Sequence, residues 1–335
     1  MKPRIGIARA LYSYYNYSLF KTFIEAMGGT ISLSPKTNKA ILKMGIEHSP
    51  AEICLPVKAF LGHIAYLKNK VDYLFIPRIV CIKDTDKNRF GCPKAISLPD
   101  LVKATFDNLP TILELNWDER ITSLKKELKK IARIFSKNNR EIDNAYNKSL
   151  QVQSKADKLM QNGLTPDRIF ESEINLDRLD SLNIKGSNEP VPGSIKVGVV
   201  GHPYLLHDEE LGLNIVNRLK NLGASVITPT MLPSSKMGNP LAKFRELAWF
   251  YEQAILGSAA LFLNGVGVDG LLLVSSFACG TNAVVNEIIH REIAHQSRIP
   301  ILMFILDEHT AEAGIMTRLE SFVDLIKISK SNKSR

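Results

Sequence analysis

The sequence predicts an α/β protein of two doubly wound, flavodoxin-like lobes with parallel sheets, joined by a helical bridge. Three observations carry that prediction. Short apolar runs alternate with amphipathic helical stretches at both ends of the chain. The middle is charged, helical in period and free of strand pattern. A Gly-, Asn- and Pro-rich segment then separates the middle from a second alternating region. Strand and helix in regular alternation build parallel sheets, whose buried strands read as continuous apolar runs. The expected boundaries are 1–116 for the first α/β lobe, 117–174 for the bridge, 175–194 for a linker and 195–335 for the second α/β lobe.

In the first lobe, Arg4 to Ala8 reads as a strand, Ser18 to Met27 as a helix stopped by Gly28-Gly29, and Thr30 to Leu33 as a second strand. Thr37 to Met44 is a short helix, and Ser49 to Pro56 leads into a longer one whose apolar residues include Val57, Phe60, Leu61, Ile64, Ala65 and Leu67. Cys54 precedes that helix. Tyr73 to Pro77 is the next strand, followed by a stretch from Arg78 to Pro93 expected to be irregular and holding Cys81 and Cys92. Leu98-Pro99-Asp100 opens a helix to Phe106, and Thr111 to Leu115 closes the lobe as a strand. In the bridge, helices are expected from Glu119 to Ser136 and from Asn139 to Gln161, with a packing role rather than chemistry.

The second lobe opens with the strand Ile195 to Gly201 and then His202-Pro203-Tyr204. Leu211 to Leu222 is a helix, Ser225 to Thr228 a strand and Leu241 to Ala260 a helix. Asp269 to Val274 is a buried strand that runs through Ser275-Ser276-Phe277-Ala278 to Cys279, and Ala283 to Ala294 puts Val284, Val285, Ile288, Ile289 and Ile293 on one helical face. Ile301 to Leu306 is a strand, Asp307-Glu308-His309-Thr310 lies at its end, and Ala313 to Ile326 is the last helix. Strand-to-helix turns of a parallel sheet gather at its carboxyl edge, where ligands bind, and two such edges make an inter-domain cleft the default site.

Composition bounds the rest. The 335 residues are 45% hydrophobic and 23% charged, ordinary for a globular protein of about two domains. No run approaches a membrane span, and Met1 to Arg4 lead straight into a strand pattern, so no membrane association and a cytoplasmic location are expected. The net charge of +9 resides largely in Lys125 to Lys130 and the tail from Lys327 to Arg335; with no aromatic-interleaved basic stripe, it does not point to nucleic acid. Gly265 to Gly270 leads into a strand instead of opening a helix, so it is no phosphate loop.

Four cysteines in a reducing compartment point to metal or redox roles more than to disulfides. Cys54 and Cys279 fall at helix starts, where unpaired N–H groups and the dipole stabilise a thiolate. The spacings contain no C-x-x-C knuckle, so neither a zinc ribbon nor a ferredoxin run is present, and spacing alone leaves open what the thiols hold. His202 and His309 both follow strands of the second lobe and are placed to donate to cluster sulfur or to a substrate carbonyl, with Glu308 beside them. Asp307 and Glu308 also read as caps of the last helix, and His63 as a packed histidine.

Taken together, Arg9-Ala10-Leu11, Cys54-Leu55-Pro56-Val57-Lys58 with Gly62-His63, Phe75-Ile76-Pro77-Arg78, and Cys92-Pro93-Lys94 with Leu98-Pro99-Asp100 resemble the acyl-CoA dehydratase activase-related proteins. So do Gly201-His202-Pro203-Tyr204, Ser275 to Gly280, and Asp307 to Gly314 with Thr317 to Glu320. The resemblance covers both lobes and skips the bridge. That group is similar in turn to the cluster subunits of 2-hydroxyacyl-CoA dehydratases and to double-cubane cluster proteins. It implies an iron–sulfur cluster of the [4Fe–4S] type in the cleft, low-potential electron transfer or radical dehydration of an acyl-CoA-like substrate, and a separate ATP-dependent activator as reductant. A homologous subunit or a second copy of the chain is a further partner it allows.

On this chain the motif cysteines are Cys54, Cys92 and Cys279, with Cys81 as an optional fourth ligand; His202, Glu308 and His309 are the catalytic candidates. Three cysteines would leave an iron open to substrate, four would favour electron transfer. The chain departs from the group's pattern at Ala8 and Ala278, where Pro and Gly are expected, and at Thr281-Asn282, where Pro-Asp is expected. Two other classes stay open: a non-redox scaffold for a small ligand or zinc, and an iron–sulfur cluster carrier.

Overall fold

The computed structural model describes residues 2–84, 87–135, 137–171, 194–233, 247–264, 266–293 and 299–333. The linker expected at 175–194 lies outside these except for Ser194, and so do 241–246 of the helix expected from Leu241. The chain divides into two compact units, one built from Met1–Lys158, Ile169–Arg178 and Ala248–Phe250, the other from Leu159–Arg168, Leu179–Leu247 and Tyr251–Arg335.

The first unit contains β1 (Arg4–Ile7), α1 (Ser13–Ala26), β2 (Thr30–Leu33), α2 (Lys39–Glu47), α3 (Leu55–Leu67), β3 (Tyr73–Asp84), β4 (Lys87–Phe90), α4 (Pro93–Ile96), α5 (Leu98–Thr105), β5 (Thr111–Asp118), α6 (Leu124–Ala132) and most of α7 (Asn139–Gln161). Its parallel strands lie in the order β2-β1-β3-β5, with β4 antiparallel to β3. The order reverses direction between β1 and β3, as in a flavodoxin-like sheet. Two glycines seat α3 against α2: a Cβ on Gly45 would lie 1.9 Å from the Lys58 carbonyl oxygen, and one on Gly62 2.0 Å from that of Ile41. The two backbones touch where no side chain fits, and this fixes the start of α3, where Cys54 sits.

The stretch from Arg78 to Pro93 is not an irregular loop. Strand β3 runs on through Asp84, and Cys81 pairs with Phe90 of β4. Pro77 suggested an early end, but β1 reaches only Tyr73 and Leu74, so at Pro77 the strand pairs on the β5 side alone, where proline costs little. The bridge region also begins differently. β5 extends to Asp118, and α6 starts at Leu124 after Ser123, whose hydroxyl caps it by accepting from the Lys126 N–H. α7 matches its expected span. Its Gln153 accepts from the N–H of Leu19 and donates to the carbonyl of Tyr15, standing in for one rung of the α1 ladder and tying the arm to the first unit.

After α8 (Pro166–Glu171), the second unit contains β6 (Ile195–Val200), α9 (Pro203–Leu206), α10 (Ile215–Asn221), β7 (Ala224–Ile227), α11 (Phe250–Asn264), β8 (Gly270–Ser276), α12 (Gly280–Ile288), β9 (Ile301–Leu306) and α13 (Glu312–Lys333). Its sheet is wholly parallel in the order β7-β6-β8-β9, the same path as in the first unit. All seven residues of β8 are buried, which is why its sequence reads as an unbroken apolar run. Leu271 and Leu273 pack with Leu256, Ala259 and Phe262 of α11 and Val285 of α12 on one face. At roughly 2 kcal/mol per buried side chain this packing holds the carboxyl end of β8 in place. Among the described residues no helix is long and apolar enough to cross a membrane.

Candidate functional site

Three of the four cysteines stand immediately before helices. Cys54 is the extended N-cap residue of α3, Cys92 that of α4, and Cys279 that of α12. Proline follows within the first helical turn at Cys54 and Cys92, where its missing N–H costs no hydrogen bond. The turns bearing these two cysteines adjoin, because the Lys94 ammonium donates to the Glu52 carbonyl at 3.4 Å. Cys81 differs. It lies within β3 with no exposed surface, its sulfur 3.9 Å from the Ile82 carbonyl oxygen. Burial, helped by the Asp118 carboxylate, pushes its thiol above the ordinary value. None of the four forms a disulfide. Among the described residues, no three His, Cys, Asp or Glu side chains converge as a metal-binding group.

The densest chemistry surrounds Cys279. β6, β8 and β9 are neighbours in the sheet, so the residues following each share its carboxyl edge. His202 follows β6 as the N-cap of α9, Cys279 follows β8, and Asp307 to His309 follow β9. Glu252 enters from the first turn of α11. His202 is 4% and Glu252 2% exposed, and the imidazole Nε2 lies 3.6 Å from the carboxylate. The Thr281 hydroxyl gives its one proton to Glu252 and lies 3.8 Å from the Cys279 sulfur. The Tyr204 ring stacks on the imidazole at 4.7 Å.

Burial alone would discharge this cluster; its members keep one another charged. Burial pushes His202 down, but the Cys279 sulfur and the Glu252 carboxylate beside it lift the imidazole to about 9. Burial pushes the Cys279 thiol up, but the hydrogen bond from His202 and the N–H of Asn282 bring it below its ordinary value. Glu252 is likewise held below the carboxylate range despite burial, by His202 and Thr281. The result is an imidazolium set between a carboxylate and a thiol whose ionisation is eased, with the sulfur at a helix N-terminus. The Asn282 side chain is 1% exposed, yet neither its amide nitrogen nor its oxygen has a hydrogen-bond partner. A buried amide without a partner, on the residue whose N–H bonds the Cys279 sulfur, fits a polar or sulfur-rich group seated on Cys279.

Glu308 and His309 lie on the same sheet edge, and the Phe277 N–H bonds to the Leu306 carbonyl at 2.8 Å. The Glu308 side chain is 15% and that of His309 85% exposed, with 4.0 Å between imidazole and carboxylate. Asp307 caps its own turn, accepting from the His309 N–H and the Thr310 hydroxyl, and α13 begins only at Glu312. His63 is fully buried and bonded to Thr37 at 3.1 Å.

Glu252 is the site residue that sequence reading missed. The expected helix from Leu241 placed it mid-helix, but residues 247–249 are not helical and the helix begins at Phe250, so Glu252 lies in its first turn, where a carboxylate ordinarily means an interaction with the helix dipole. Thr281 and Asn282 were visible only as departures from a family pattern; the structure gives Thr281 a partner and Asn282 a place beside the sulfur. Ala278 adopts a left-handed φ of 60°, the conformation for which the expected glycine is suited.

Among the solved structures similar to the chain are two that cover nearly all of it. One is a periplasmic zinc binding protein, TroA, from Treponema pallidum, with 10% identity, coverage of 98% of this chain and 99% of that one, and a TM-score of 0.28. The other is the C-terminal domain of a glucosamine-fructose-6-phosphate aminotransferase from Francisella tularensis, with 11% identity, 98% and 85% coverage, and a TM-score of 0.22. At these scores neither likeness bears on the site. No curated protein matches the chain. A family model described as a CoA enzyme activase uncharacterised domain matches residues 4–232, from β1 through Cys54, Cys81, Cys92 and His202, and the chain belongs to that family.

Proposed function

We propose that this chain is an iron–sulfur protein carrying one [4Fe–4S]-type cluster for low-potential electron transfer, or for reductive or radical dehydration of an acyl-CoA-like substrate. Cys54, Cys92 and Cys279 are its proposed thiolate ligands. Cys81, buried inside a strand with a thiol resistant to ionisation, is the weakest candidate for a fourth position. The electron donor is a separate ATP-dependent activator, in keeping with the family's name.

The observation that carries this reading is the setting of Cys279: a half-buried thiol at a helix N-terminus, its ionisation eased by His202 and the Asn282 N–H, three residues before a buried amide with no hydrogen-bond partner among the described residues. Clusters are bound by thiolates, and hydrogen bonds to their sulfurs raise the reduction potential. When bound, such a cluster supplies one electron at low potential. The chain's own part is to ease ionisation of the Cys279 thiol, to balance His202 with Glu252, and to shield both from water. Burial ties His202 to the sulfur, so Glu308 and the exposed His309 are the groups available to a solute.

Iron and acid-labile sulfide per chain after strictly anaerobic purification, with EPR of the dithionite-reduced protein, test the proposal. About four of each, with a reduced-cluster signal lost in Cys279→Ala, is the expected result. Colourless protein that resists reconstitution, zinc in place of iron, or full loading of Cys279→Ala would overturn it.

A further inference from the structure

The first unit holds a second polar cluster, at the carboxyl ends of β1 and β2, that the cluster reading does not use. Arg9 follows β1, and its backbone N–H donates to the Ser34 hydroxyl at 2.8 Å. Ser34 follows β2 and is 1% exposed; Thr37, three residues on, is 8% exposed and bonds His63 Nε2 at 3.1 Å. His63 comes from α3 and has no exposed surface. Ser34, Thr37 and His63 are thus buried beside the sheet edge, and Arg9 is half-buried next to them.

Two of them are left without partners. Arg9 Nε and Nη1 are buried and bonded to nothing, and so is His63 Nδ1. The contact recorded for the guanidinium is the Phe170 ring, 5.1 Å away, which Tyr14 and Tyr17 brace edge-on. A ring covers one face of a guanidinium and leaves its in-plane N–H groups pointing outward. The Arg9 charge also reaches His63: burial first, then Arg9, pushes its imidazole down to about 3, so it is neutral near pH 7. In the tautomer whose Nε2 accepts from the Thr37 hydroxyl, the ring proton is on Nδ1. Every orphan is then a donor, and among the described residues no carboxylate pairs with the cation.

We propose that Arg9 and His63 form a binding site for the phosphoryl group of a small molecule, with Ser34 and Thr37 holding the two donors in place. A cation with no counter-ion and three buried donors call for a ligand that only accepts hydrogen bonds and bears negative charge. Donors from two separate residues suit a tetrahedral oxyanion, which accepts in three directions, better than a flat carboxylate. The place is also one where doubly wound sheets receive ligands, at the carboxyl ends of the strands. The proposal is independent of any cluster.

Isothermal titration calorimetry of the full chain with inorganic phosphate at low ionic strength and pH 7 tests it, with sulfate and acetate in parallel. Saturable phosphate binding is expected, with sulfate competing. Arg9→Gln should weaken it about tenfold or more, since hydrogen bonds to charged groups are the strong ones. His63→Gln, which leaves the net charge unchanged, should weaken it several-fold. If Arg9→Gln does not fold by circular dichroism, Arg9→Lys serves in its place, keeping the charge but losing the fork, and the same direction is expected. Absence of saturable phosphate binding, unchanged affinity in the Arg9 variant, or acetate binding in preference to phosphate would overturn the assignment.

Discussion

The two units thread their parallel strands in the same order, yet the polar groups after their first strands are balanced in opposite ways. In the second unit, His202 meets a thiol and a carboxylate, and each favours the charged form of the others despite burial. In the first, the Arg9 guanidinium meets an aromatic face and, among the described residues, no carboxylate, and nearby His63 is driven neutral. Both sets are buried beside a sheet edge, so fold and burial do not explain the difference. Counter-charge does. A buried cation with its anion supplied by the chain is a finished structural unit whose sulfur is tuned from within. A buried cation without one is half of a pair.

Breaking the internal pair should have the largest effect. Glu252→Gln removes the carboxylate but keeps the shape, leaving His202 to lose its proton or remain as a weakly compensated charge. Removing one partner of a buried pair costs about 3 kcal/mol or more. Slowly exchanging amides of β6 and β8 should report that loss by hydrogen exchange; a change under about 1 kcal/mol would mean the cluster is not charged.

The first unit should respond to pH in its own way. Unfolded, His63 takes a proton near its ordinary value of 6.5, whereas folded it stays neutral down to about 3. Between those values the unfolded chain binds more protons, so stability falls as the pH falls. At 1.36 kcal/mol per pH unit, wild type should lose about 3 kcal/mol between pH 7 and 4 relative to His63→Gln. Denaturant unfolding of both proteins at the two pH values measures it, and parallel losses would show that His63 is not held neutral.

The smallest effect sharpens the geometry of the thiolate turn. Ala278 sits at φ 60°, and glycine would relieve the strain of a Cβ in the left-handed region. Ala278→Gly should raise stability by about 1 kcal/mol in a thermal melt and leave the cysteine environment unchanged. A loss of stability would show that the turn relaxes some other way.

Much of this molecule was legible in the sequence because it depends on neighbours along the chain. Strand and helix alternation, the N-cap places of Cys54 and Cys279, the whole of α7 and the family motifs are local patterns of period and punctuation. The long strand through Cys81 was not, because its continuation past Pro77 depends on pairing with β5 and β4 rather than on local propensity.

Nor could the sequence single out Glu252, which falls inside the helix expected from Leu241 to Ala260, since its partner Thr281 is 29 residues away and meets it only after β8 packs against α11. The orphaned donors of Arg9 and His63 are likewise defined by the partners that packing fails to bring them. Sequence by itself determined the elements, the order of the two α/β regions and which residue types stand at the helix starts. Tertiary structure alone decided which charges are paired and which are left open, because charge pairing in a protein interior depends on distance and burial, and neither is a property of position along the chain.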